Sequence, residues 1–478
     1  MLEGLEVSEV RTSELEYSKR LDAEYYAPKY LKYENIISSK GGKPLSTVSD
    51  FLIGPFGSAF TVENYTDDKT YRYIRGKDVK PMALMNDDSV YMPKEDYDRL
   101  SKYALKKEDI LVSVVGTLGN AAIVEAENLP AIFSCKSTVL RTKDVNPRYL
   151  LTYLNSKYGR DLLLRKERGA IQKGLNLDDL KTLEVYISSN EFQNKISEIY
   201  EQSKKYLKKS KSLYTQAEQL LLEELGLKDW QPSTENINSK SFKESFGATG
   251  RLDAEYYQPK YEEIDAKIKQ QPFDIVENIC SHINYGTVPT SPYTDDGTGV
   301  PYIKGMNLKN LEITKNLDRI TNFEGLPDKA YVKKGDIIIS QMGTVGDVGV
   351  ITEEENGYTF ASFTIRIRLK DTGKFNPFYV GLYIQNIAKQ WYLYRNIAQA
   401  SVRQNTDLPT IKNMYIPILN YNKQKAIAQF VEQSFVLKHQ SEHLLEVAKR
   451  AVEIAIEEDE EKAIEYINKS HNLYESEI

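Results

Sequence analysis

The sequence predicts an α+β protein in which two similar mixed α/β domains are separated by two long helices that pair as an antiparallel coiled coil, with a pseudo-twofold internal repeat. Three observations predict this fold. The motif RLDAEYYAPKY at Arg20 recurs as RLDAEYYQPKY at Arg251, with ten of eleven positions identical. Further motifs recur at nearly the same offset, and two segments of about 35 residues carry seven-residue apolar repeats.

The repeat extends through most of the chain. The segment EDILVSVVGTLGNAAIV from Glu108 matches GDIIISQMGTVGDVGVI from Gly335, and NPRYLLTYLNS from Asn146 matches NPFYVGLYIQN from Asn376. The offset stays between 227 and 231 residues, a drift that surface loops absorb. The chain therefore holds two copies of a unit of about 230 residues.

Local patterns set the elements of each copy. Short β-branched runs such as DILVSVV, bounded by Gly-rich turns, predict strands. The pairs Asn146-Pro147 and Asn376-Pro377 predict helix starts with Asn as N-cap and Pro at the first helical position. The predicted segments are a first domain over 1–190, a central long helix over 191–228, a linker over 229–250, a second domain over 251–420, a distal long helix over 421–470 and an acidic tail over 471–478.

A heptad pattern marks both long helices as coiled-coil partners. Small residues recur every seven positions between apolar doublets, namely Ser203, Ser210 and Ala217, then Ser434, Ser441 and Ala448. The predicted coiled-coil positions are Ile199, Tyr206, Leu213, Leu220, Phe430, Leu437 and Leu444. One narrow stripe cannot bury itself, so each helix is the expected partner of the other.

The order of the segments predicts the direction of pairing. A whole domain lies between the two helices, and a twofold relation between the copies makes the helices antiparallel. A helix of about 35 residues is about 50 Å long. We therefore expect a rigid bar that holds the two domains a fixed distance apart.

Composition favours a cytoplasmic binding protein without a membrane partner. No apolar run is long enough to span a bilayer, and the N-terminal segment lacks the apolar core of a signal peptide. The cysteines Cys135 and Cys280 have neither ligand-like nor disulfide-like spacing, which favours a reducing compartment. The net charge of −6 argues mildly against nucleic acid as a partner, although local patches decide such contacts.

Catalytic and metal-binding motifs are missing from the sequence, which has no Walker loop, no HExxH zinc motif and no Gly-x-Ser-x-Gly elbow. GTLG at Gly116 and GTVG at Gly343 could be phosphate cradles or the Gly-x-x-Gly loop of a KH domain, but a tight turn between two strands is the favoured interpretation. The Asn-Pro-x-Tyr runs faintly resemble a motif of adenine methyltransferases, and helix capping explains them. We expect no catalytic residue, no metal and no cofactor bound by this chain.

Basic clusters at matching places in both copies predict contact with nucleic acid. Residues 157–173 carry six Lys or Arg against two acids. Arg and Lys hold phosphates, Arg also reads guanine, and Gln and Asn read adenine. A solvated charged face is the alternative for each cluster. The candidate DNA-binding residues are Arg72, Arg75, Lys77, Arg165, Lys166, Arg168, Gln172, Lys173, Lys304, Asn307, Lys309, Arg395, Arg403 and Gln404.

The two copies share their framework but differ in their loops, since RKERGAIQKGLN does not match NIAQASVRQNTD. A duplicated scaffold with divergent loops predicts two different targets. A bar of about 50 Å covers on the order of fifteen base pairs, which suits a split, asymmetric site on double-stranded DNA. The competing hypotheses are a fused DNA enzyme and a coiled-coil scaffold that ignores DNA.

With these features, the chain resembles the specificity (S) subunits of type I restriction–modification systems. The resemblance rests on GPFGSAF at Gly54, YIRGKD at Tyr73, DILVSVVGTLGNAAIV with its second copy, and the EQS runs at Glu201 and Glu432. It covers nearly the whole chain. It implies two target recognition domains, each reading half of a bipartite site, and a coiled coil that serves as a spacer.

The resemblance also implies how the work is divided among partners. The chain itself would be non-catalytic. Two modification (M) subunits would bind S-adenosylmethionine and methylate adenine at N6. Restriction (R) subunits, where the system has them, would use ATP with Mg for cleavage.

The RLDAEYYxPKY motif starts each domain, and two interpretations of it remain open. A polar helical stretch that ends before Pro28 or Pro259 is typical of a structural hinge. Alternatively, an identical surface offered twice suits two identical partners, whereas the divergent loops suit different halves of a DNA site.

Overall fold

A computed structural model describes residues 7–13, 15, 20–169, 173–294, 296–321, 325–397 and 405–475 of the chain. The chain forms two compact units. The first unit contains residues 1–207 and 439–478, and the second contains residues 208–438. None of the described helices combines the length and the apolar character needed to cross a lipid bilayer.

The first unit is a mixed α/β domain. Its strands are β1 (Lys43–Pro44), β2 (Ser49–Ile53), β3 (Tyr71–Ile74), β4 (Val90–Met92), β5 (Ile110–Ser113), β6 (Ala121–Ile123), β7 (Ala131–Phe133), β8 (Ser137–Thr142) and β9 (Glu184–Val185). Its helices are α1 (Pro28–Ser39), α2 (Leu45–Val48), α3 (Lys94–Arg99), α4 (Pro147–Asn155), α5 (Lys157–Arg165) and α6 (Leu177–Lys181), and α7 (Asn190–Glu224) starts in this unit.

The second unit repeats the main elements of the first and adds three strands and a π-helix. Its helices are α8 (Phe246–Thr249), α9 (Pro259–Ile268), α10 (Val276–Ile279), α11 (Pro377–Tyr383), a π-helix (Ile384–Leu393), α12 (Tyr394–Asn396) and α13 (Leu408–Lys412), and α14 (Tyr421–Glu457) starts in it. Its strands are β10 (Phe273–Ile275), β11 (Cys280–Tyr285), β12 (Tyr293–Thr294), β13 (Val300–Ile303), β14 (Leu308–Lys309), β15 (Glu312–Ile313), β16 (Asp318–Ile320), β17 (Ile337–Ser340), β18 (Val348–Val350), β19 (Thr359–Phe360), β20 (Thr364–Leu369) and β21 (Tyr415–Pro417).

The main sheet has the same topology in both units. Its strand order is β2-β8-β5-β6 in the first unit and β11-β20-β17-β18 in the second, and all neighbouring strands are antiparallel. A second sheet contains one parallel pair in each unit, β3 with β7 and β13 with β19. This duplication confirms the predicted α+β class and the internal repeat.

The GTLG and GTVG runs are tight turns, as predicted. Each joins two antiparallel strands, β5 to β6 and β17 to β18. Gly116 and Gly343 have φ values of 90° and 82°, a left-handed backbone that favours glycine.

The predicted helix caps at Asn146 and Asn376 are also present. The side-chain oxygen of Asn146 accepts a hydrogen bond from the backbone amide of Arg148 at 2.9 Å. The backbone amide of Asn146 donates to Gln193 Oε1, also at 2.9 Å. Asn376 is bonded in the same way, with Gln424 in the place of Gln193. The repeated Gln therefore ties the start of each long helix to the preceding domain.

Within the first unit, α7 and α14 pair antiparallel. Ser203 Oγ lies 2.9 Å from Ser441 Oγ, and the amide of Ser189, just before α7, donates to Glu460 Oε1, just after α14, at 2.9 Å. Residue numbers therefore rise along α7 while those of its contacts on α14 fall, which is antiparallel pairing. The side chains of Ile199 and Leu444 lie in the core of this unit.

Within the second unit, the same two helices again pair antiparallel. Ser210 Oγ lies 3.1 Å from Ser434 Oγ, and Lys423 near the start of α14 forms an ion pair with Glu224 at the end of α7. In both units small residues lie at the centre of the helix contact, and all are at most 4% exposed: Ser203, Ser441 and Ala448 in the first unit, and Ser210, Ala217 and Ser434 in the second. Tyr206, Leu213, Leu220, Phe430 and Leu437 are only half-buried and flank the seam of small residues.

The distal helix is interrupted, whereas the sequence predicts one continuous segment over 421–470. Helix α14 ends at Glu457, and α15 (Glu460–Glu475) follows after a short break. The buried Ala463 and Ile467 pack α15 onto the first unit's core, so its start is a packed element and not part of a single long rod. The described part of the predicted acidic tail, residues 471–475, continues this helix.

Candidate nucleic-acid interface

The loops at one end of the main sheet form a continuous surface in the first unit, which we call the first loop edge. It begins where β2 ends and β8 starts, since Ile53 pairs with Thr138. Its segments are 54–58, 75–77, 114–118, 134–136, Arg168 and 173–175. The second loop edge consists of the corresponding segments 286–289, 304–306, 341–344, 361–363 and 405–406.

Identical backbone hydrogen bonds hold the two loop edges together. The Val114 amide donates to the Lys136 carbonyl at 2.9 Å, and the Gln341 amide donates to the Phe363 carbonyl at 3.0 Å. The scaffold of the edge is therefore duplicated together with the sheets.

The link to the second sheet is duplicated as well. The Ser134 amide donates to the Ile74 carbonyl, and the Ala361 amide donates to the Ile303 carbonyl, both at 2.9 Å. The loops that follow β3 and β13 are therefore held beside those that precede β8 and β20.

Arg165, a predicted DNA contact, is instead an internal residue. Its side chain is 2% exposed, forms an ion pair of 2.6 Å with Glu34 and donates from Nε to the Tyr25 carbonyl. Its guanidinium lies 4.1 Å from the centre of the Tyr25 ring, and the Arg20 guanidinium lies 4.6 Å from the same ring. A guanidinium held on all sides by the protein cannot reach a phosphate, so this prediction was wrong.

Arg395 repeats this arrangement in the second unit, and its prediction is corrected for the same reason. It forms a 3.0 Å ion pair with Asp265, and its guanidinium lies 4.5 Å from the Tyr256 ring. Arg251 lies over the same ring at 4.5 Å. In each unit a tyrosine ring of the RLDAEYY motif thus lies beside two arginines, one from the motif and one from a later helix. We call this motif the strap, and these contacts support the structural interpretation.

Three more predicted contacts are buried. Arg72 donates to Asn86 Oδ1 and to the Met85 carbonyl, and burial lowers its pKa. Asn307 is 6% exposed, and its side chain caps a short turn by accepting from the Lys304 amide. Lys166 is 8% exposed, and burial lowers its pKa. Each maintains the local fold and does not face solvent.

Arg168 and Lys173 are exposed but ion-paired. Arg168 forms a bidentate contact with Asp179 (2.7 and 2.8 Å), which raises the pKa of Arg168. Lys173 pairs with Glu167, and both cations lie on the first loop edge. Exposed ion pairs contribute little to stability, so a phosphate could replace Glu167 as the partner of Lys173. The side chain of Asp179 is only 12% exposed, so its pair with Arg168 is partly buried.

The early basic group is mixed, because the Lys77 side chain is exposed whereas those of Arg75 and Lys304 are only 17% and 25% exposed. Lys77 pairs with Asp88 at 2.6 Å, and Arg75 pairs with Asp78 at 2.9 Å. In the second unit Lys304 pairs with Asp318 and lies over the Tyr293 ring.

Lys309 of β14 is exposed, and no ion pair to it is found among the residues described. Gln172, Arg403 and Gln404 lie outside the described residues. Contact of the exposed candidates with DNA stays a prediction.

No cluster of three or more potential metal ligands (His, Cys, Asp or Glu) occurs in the described part of the chain.

Comparison with known proteins decides the family. The profile of the Type I restriction modification DNA specificity domain matches residues 47–218 and again residues 276–446. These two matches cover well over half of the chain. The chain belongs to this family. Each specificity domain covers one main sheet and its loop edge.

One curated relative is the Type I restriction enzyme EcoBI specificity subunit from Escherichia coli, 27% identical over 199 residues. That match covers 39% of this chain and 41% of the relative, so the chain spans less than half the length of this relative.

Solved structures that match the chain include the Type-I restriction-modification system S subunit from M. genitalium, at 15% identity and a TM-score of 0.44. That match covers 86% of this chain and 94% of that one. The HsdS subunit from Thermoanaerobacter tengcongensis matches at 15% identity and a TM-score of 0.28, with 87% and 96% covered.

Sequence reasoning missed several exposed residues of the specificity domains. Phe56 is 85% exposed and Lys136 is exposed on the first loop edge. Val288, Met306 and Phe363 are 70%, 75% and 59% exposed on the second. Clusters of charge do not reveal these positions, which stand out only when the two copies are aligned and side-chain exposure is known.

Proposed function

We propose that this chain is the DNA-recognition subunit of a type I restriction–modification complex, in which each specificity domain reads one half of a bipartite, asymmetric site. The observation that carries the proposal is the double match to the DNA specificity domain family, at residues 47–218 and 276–446. The duplicated loop edges support it, because one scaffold presents two different sets of exposed side chains.

The chain's role in this proposal is recognition without catalysis. Two M subunits bind S-adenosylmethionine and methylate adenine at N6, and R subunits, where the system has them, supply ATP- and Mg-dependent cleavage. The complex works in the cytoplasm, where the free thiols of Cys135 and Cys280 are stable.

The duplicated RLDAEYY strap supports recruitment of two identical partners. The strap leaves Leu21 and Leu252 exposed by 86% and 67%, at the same position in each unit. Each follows an arginine that is fixed by bidentate contact with the next aspartate, Asp22 or Asp253. A rigid, exposed leucine presented twice suits one copy of an M subunit on each unit.

The paired helices α7 and α14 serve as the spacer in this proposal. Their seam is made of small, buried residues, which allows close approach of two backbones and disfavours sliding. A rigid seam suits a site whose two halves are separated by a fixed number of unread base pairs.

The test combines the purified chain, an M-type methyltransferase and labelled S-adenosylmethionine, followed by mapping of methylated adenines on a plasmid. Methylation confined to a split motif, and dependent on this chain, is the expected result. Methyl transfer by the chain alone would identify a fused enzyme. Methylation whose positions do not change when the chain is added would identify a scaffold that ignores DNA.

A further inference from the structure

Three exposed positions on each loop edge correspond to one another. Position 56 corresponds to 288, position 77 to 306 and position 136 to 363. The correspondence follows from the shared scaffold: Phe363 and Lys136 make the same backbone hydrogen bond, and Lys77 and Met306 each follow the glycine of an equivalent short turn.

Glycines bring these positions close together. A Cβ on Gly54 would lie 2.7 Å from the Ser134 backbone, and one on Gly286 would lie 2.2 Å from the Phe360 carbonyl oxygen. The loop that carries Phe56 or Val288 is therefore packed directly on the loop that carries Lys136 or Phe363.

The third position is held by a second glycine. A Cβ on Gly76 would lie 2.8 Å from Lys136 Cβ, and one on Gly305 would lie 2.7 Å from Ser340 Oγ. Lys77 and Met306 follow these glycines directly, so the backbone before each of them is in close contact with Lys136 or Ser340. We call the three positions of each unit together one surface, because the loops that carry them are packed on neighbouring backbone.

The chemistry at these positions differs between the units. The first surface has Phe56 with two cations, Lys77 and Lys136. For Lys136 no side-chain hydrogen bond or ion pair is found among the described residues, and Lys77 is held only by an exposed pair with Asp88. The three matched positions of the second surface, Val288, Met306 and Phe363, are all apolar.

Folding does not require such side chains. Single exposed apolar residues are normal, but Val288, Met306 and Phe363 form an exposed apolar group on a scaffold whose counterpart carries lysines. Lysines at two of three matched positions indicate that the first surface faces a polyanion. The second surface, on the same scaffold, faces the same kind of partner.

Resting on the proposed function, we infer that positions 56, 77 and 136 determine the base preference of the first half-site and that positions 288, 306 and 363 determine that of the second. Lysine donates to the O6 and N7 acceptors of guanine in the major groove, and apolar side chains contact the C5-methyl group of thymine. The first half-site therefore contains guanine at the contacted positions, and the second contains thymine.

A transplant tests this assignment. The variant Val288→Phe, Met306→Lys, Phe363→Lys gives the second unit the first unit's side chains. The full chain, assembled with its M subunits, is used to select duplexes from a library randomised across both half-sites. We expect preference for the original second half-site to fall about tenfold while the first half-site is unchanged. The exposed Val436 of α14 gives the matched control, Val436→Lys, which should change neither half.

The DNA side gives a test that needs no variant. Replacing thymine by uracil in the selected second half-site removes only the methyl group and should weaken wild-type binding several-fold. The same exchange in the first half-site should have little effect. The transplanted chain should no longer distinguish thymine from uracil.

Three outcomes would overturn the inference. They are an unchanged second half-site in the transplant, an equal loss of both half-sites, and indifference of the wild type to uracil. If the wild-type assembly selects no split motif at all, the proposed function itself fails, and that result is visible before any variant is made.

Discussion

Ser203 and Ser441 meet on the seam of the helix pair, with their Oγ atoms 2.9 Å apart and both residues 2% exposed. Ser203 Oγ also donates to the Ser441 carbonyl at 3.0 Å. Buried hydroxyls normally need such partners, and here each serine serves the other. A small side chain at both positions lets the two backbones approach closely.

A larger side chain in the buried seam should destabilise the protein more than a charged side chain at a half-buried position beside it. Ser203→Leu adds volume where none is free, and we expect a loss of about 1–3 kcal/mol in the free energy of unfolding. Leu444→Asp, at a position 9% exposed, should cost at least as much, whereas Leu213→Asp at a half-buried position should cost less. Denaturant unfolding measures all three, and Lys205→Leu on the exposed face is the control. A Ser203→Leu variant as stable as wild type would contradict the close packing of the two helices at this position.

A buried ion pair on the main sheet should be sensitive to loss of one partner. Asp336 is fully buried and accepts two hydrogen bonds from Arg368, at 2.6 and 2.7 Å, with the fully buried Arg366 3.7 Å away. Asp336→Ala leaves these guanidiniums without a counter-charge and should cost about 3–5 kcal/mol in unfolding free energy. Asp98→Ala, which breaks an exposed pair with Lys94, should cost less than about 1 kcal/mol. Equal costs for the two variants would refute the distinction.

Cations on the first loop edge should contribute to the salt dependence of DNA binding. Arg168→Ala with Lys173→Ala should weaken binding and lower the slope of log K against log salt by about one for each phosphate that the variant no longer neutralises. Lys143→Ala, at the opposite end of the same sheet, is the matched control and should leave the slope unchanged. The slope is obtained from titrations of the assembled complex at several salt concentrations. A slope that is the same for the double variant and wild type would remove this loop from the interface.

The two cysteines should react at very different rates. Burial raises the pKa of Cys280 to about 12, so at pH 8 its thiolate fraction is on the order of one in ten thousand. Cys135 is a half-buried residue of the first loop edge, where a Cβ on Gly57 would lie 3.8 Å from its Sγ. An alkylating reagent followed by mass spectrometry should label Cys135 alone in the native protein, and both residues after unfolding.

DNA carrying the site should slow the labelling of Cys135. Protection of neither thiol by DNA would speak against the loop edge as the contact surface.

The duplicated framework could be predicted from the sequence because repetition and periodicity are local signals. Asn146-Pro147 predicts a capped helix start from two residues, and the seven-residue spacing of Ser203 and Ser210 predicts a seam. The break between α14 and α15 was missed, because the apolar pattern continues through Glu458 and Asp459 to Ala463 and Ile467. Tertiary packing on the first unit's core decides that break.

The site was harder to predict because charge in a sequence says nothing about pairing. Arg165 and Arg168 look equivalent in the run LLLRKERG, yet the first is clamped on Tyr25 and the second is exposed. Phe56 and Phe363 carry no charge and resemble core residues, so exposure alone sets them apart. Which side chains face solvent depends on the packing of loops from distant parts of the chain.

The most direct measurement determines which bases the assembled wild-type complex selects from a library of randomised duplexes. Recognition by two non-identical domains predicts two unlike short motifs, separated by a constant number of unselected base pairs. Selection of the same short motif on both sides, or of one uninterrupted motif, would contradict the account.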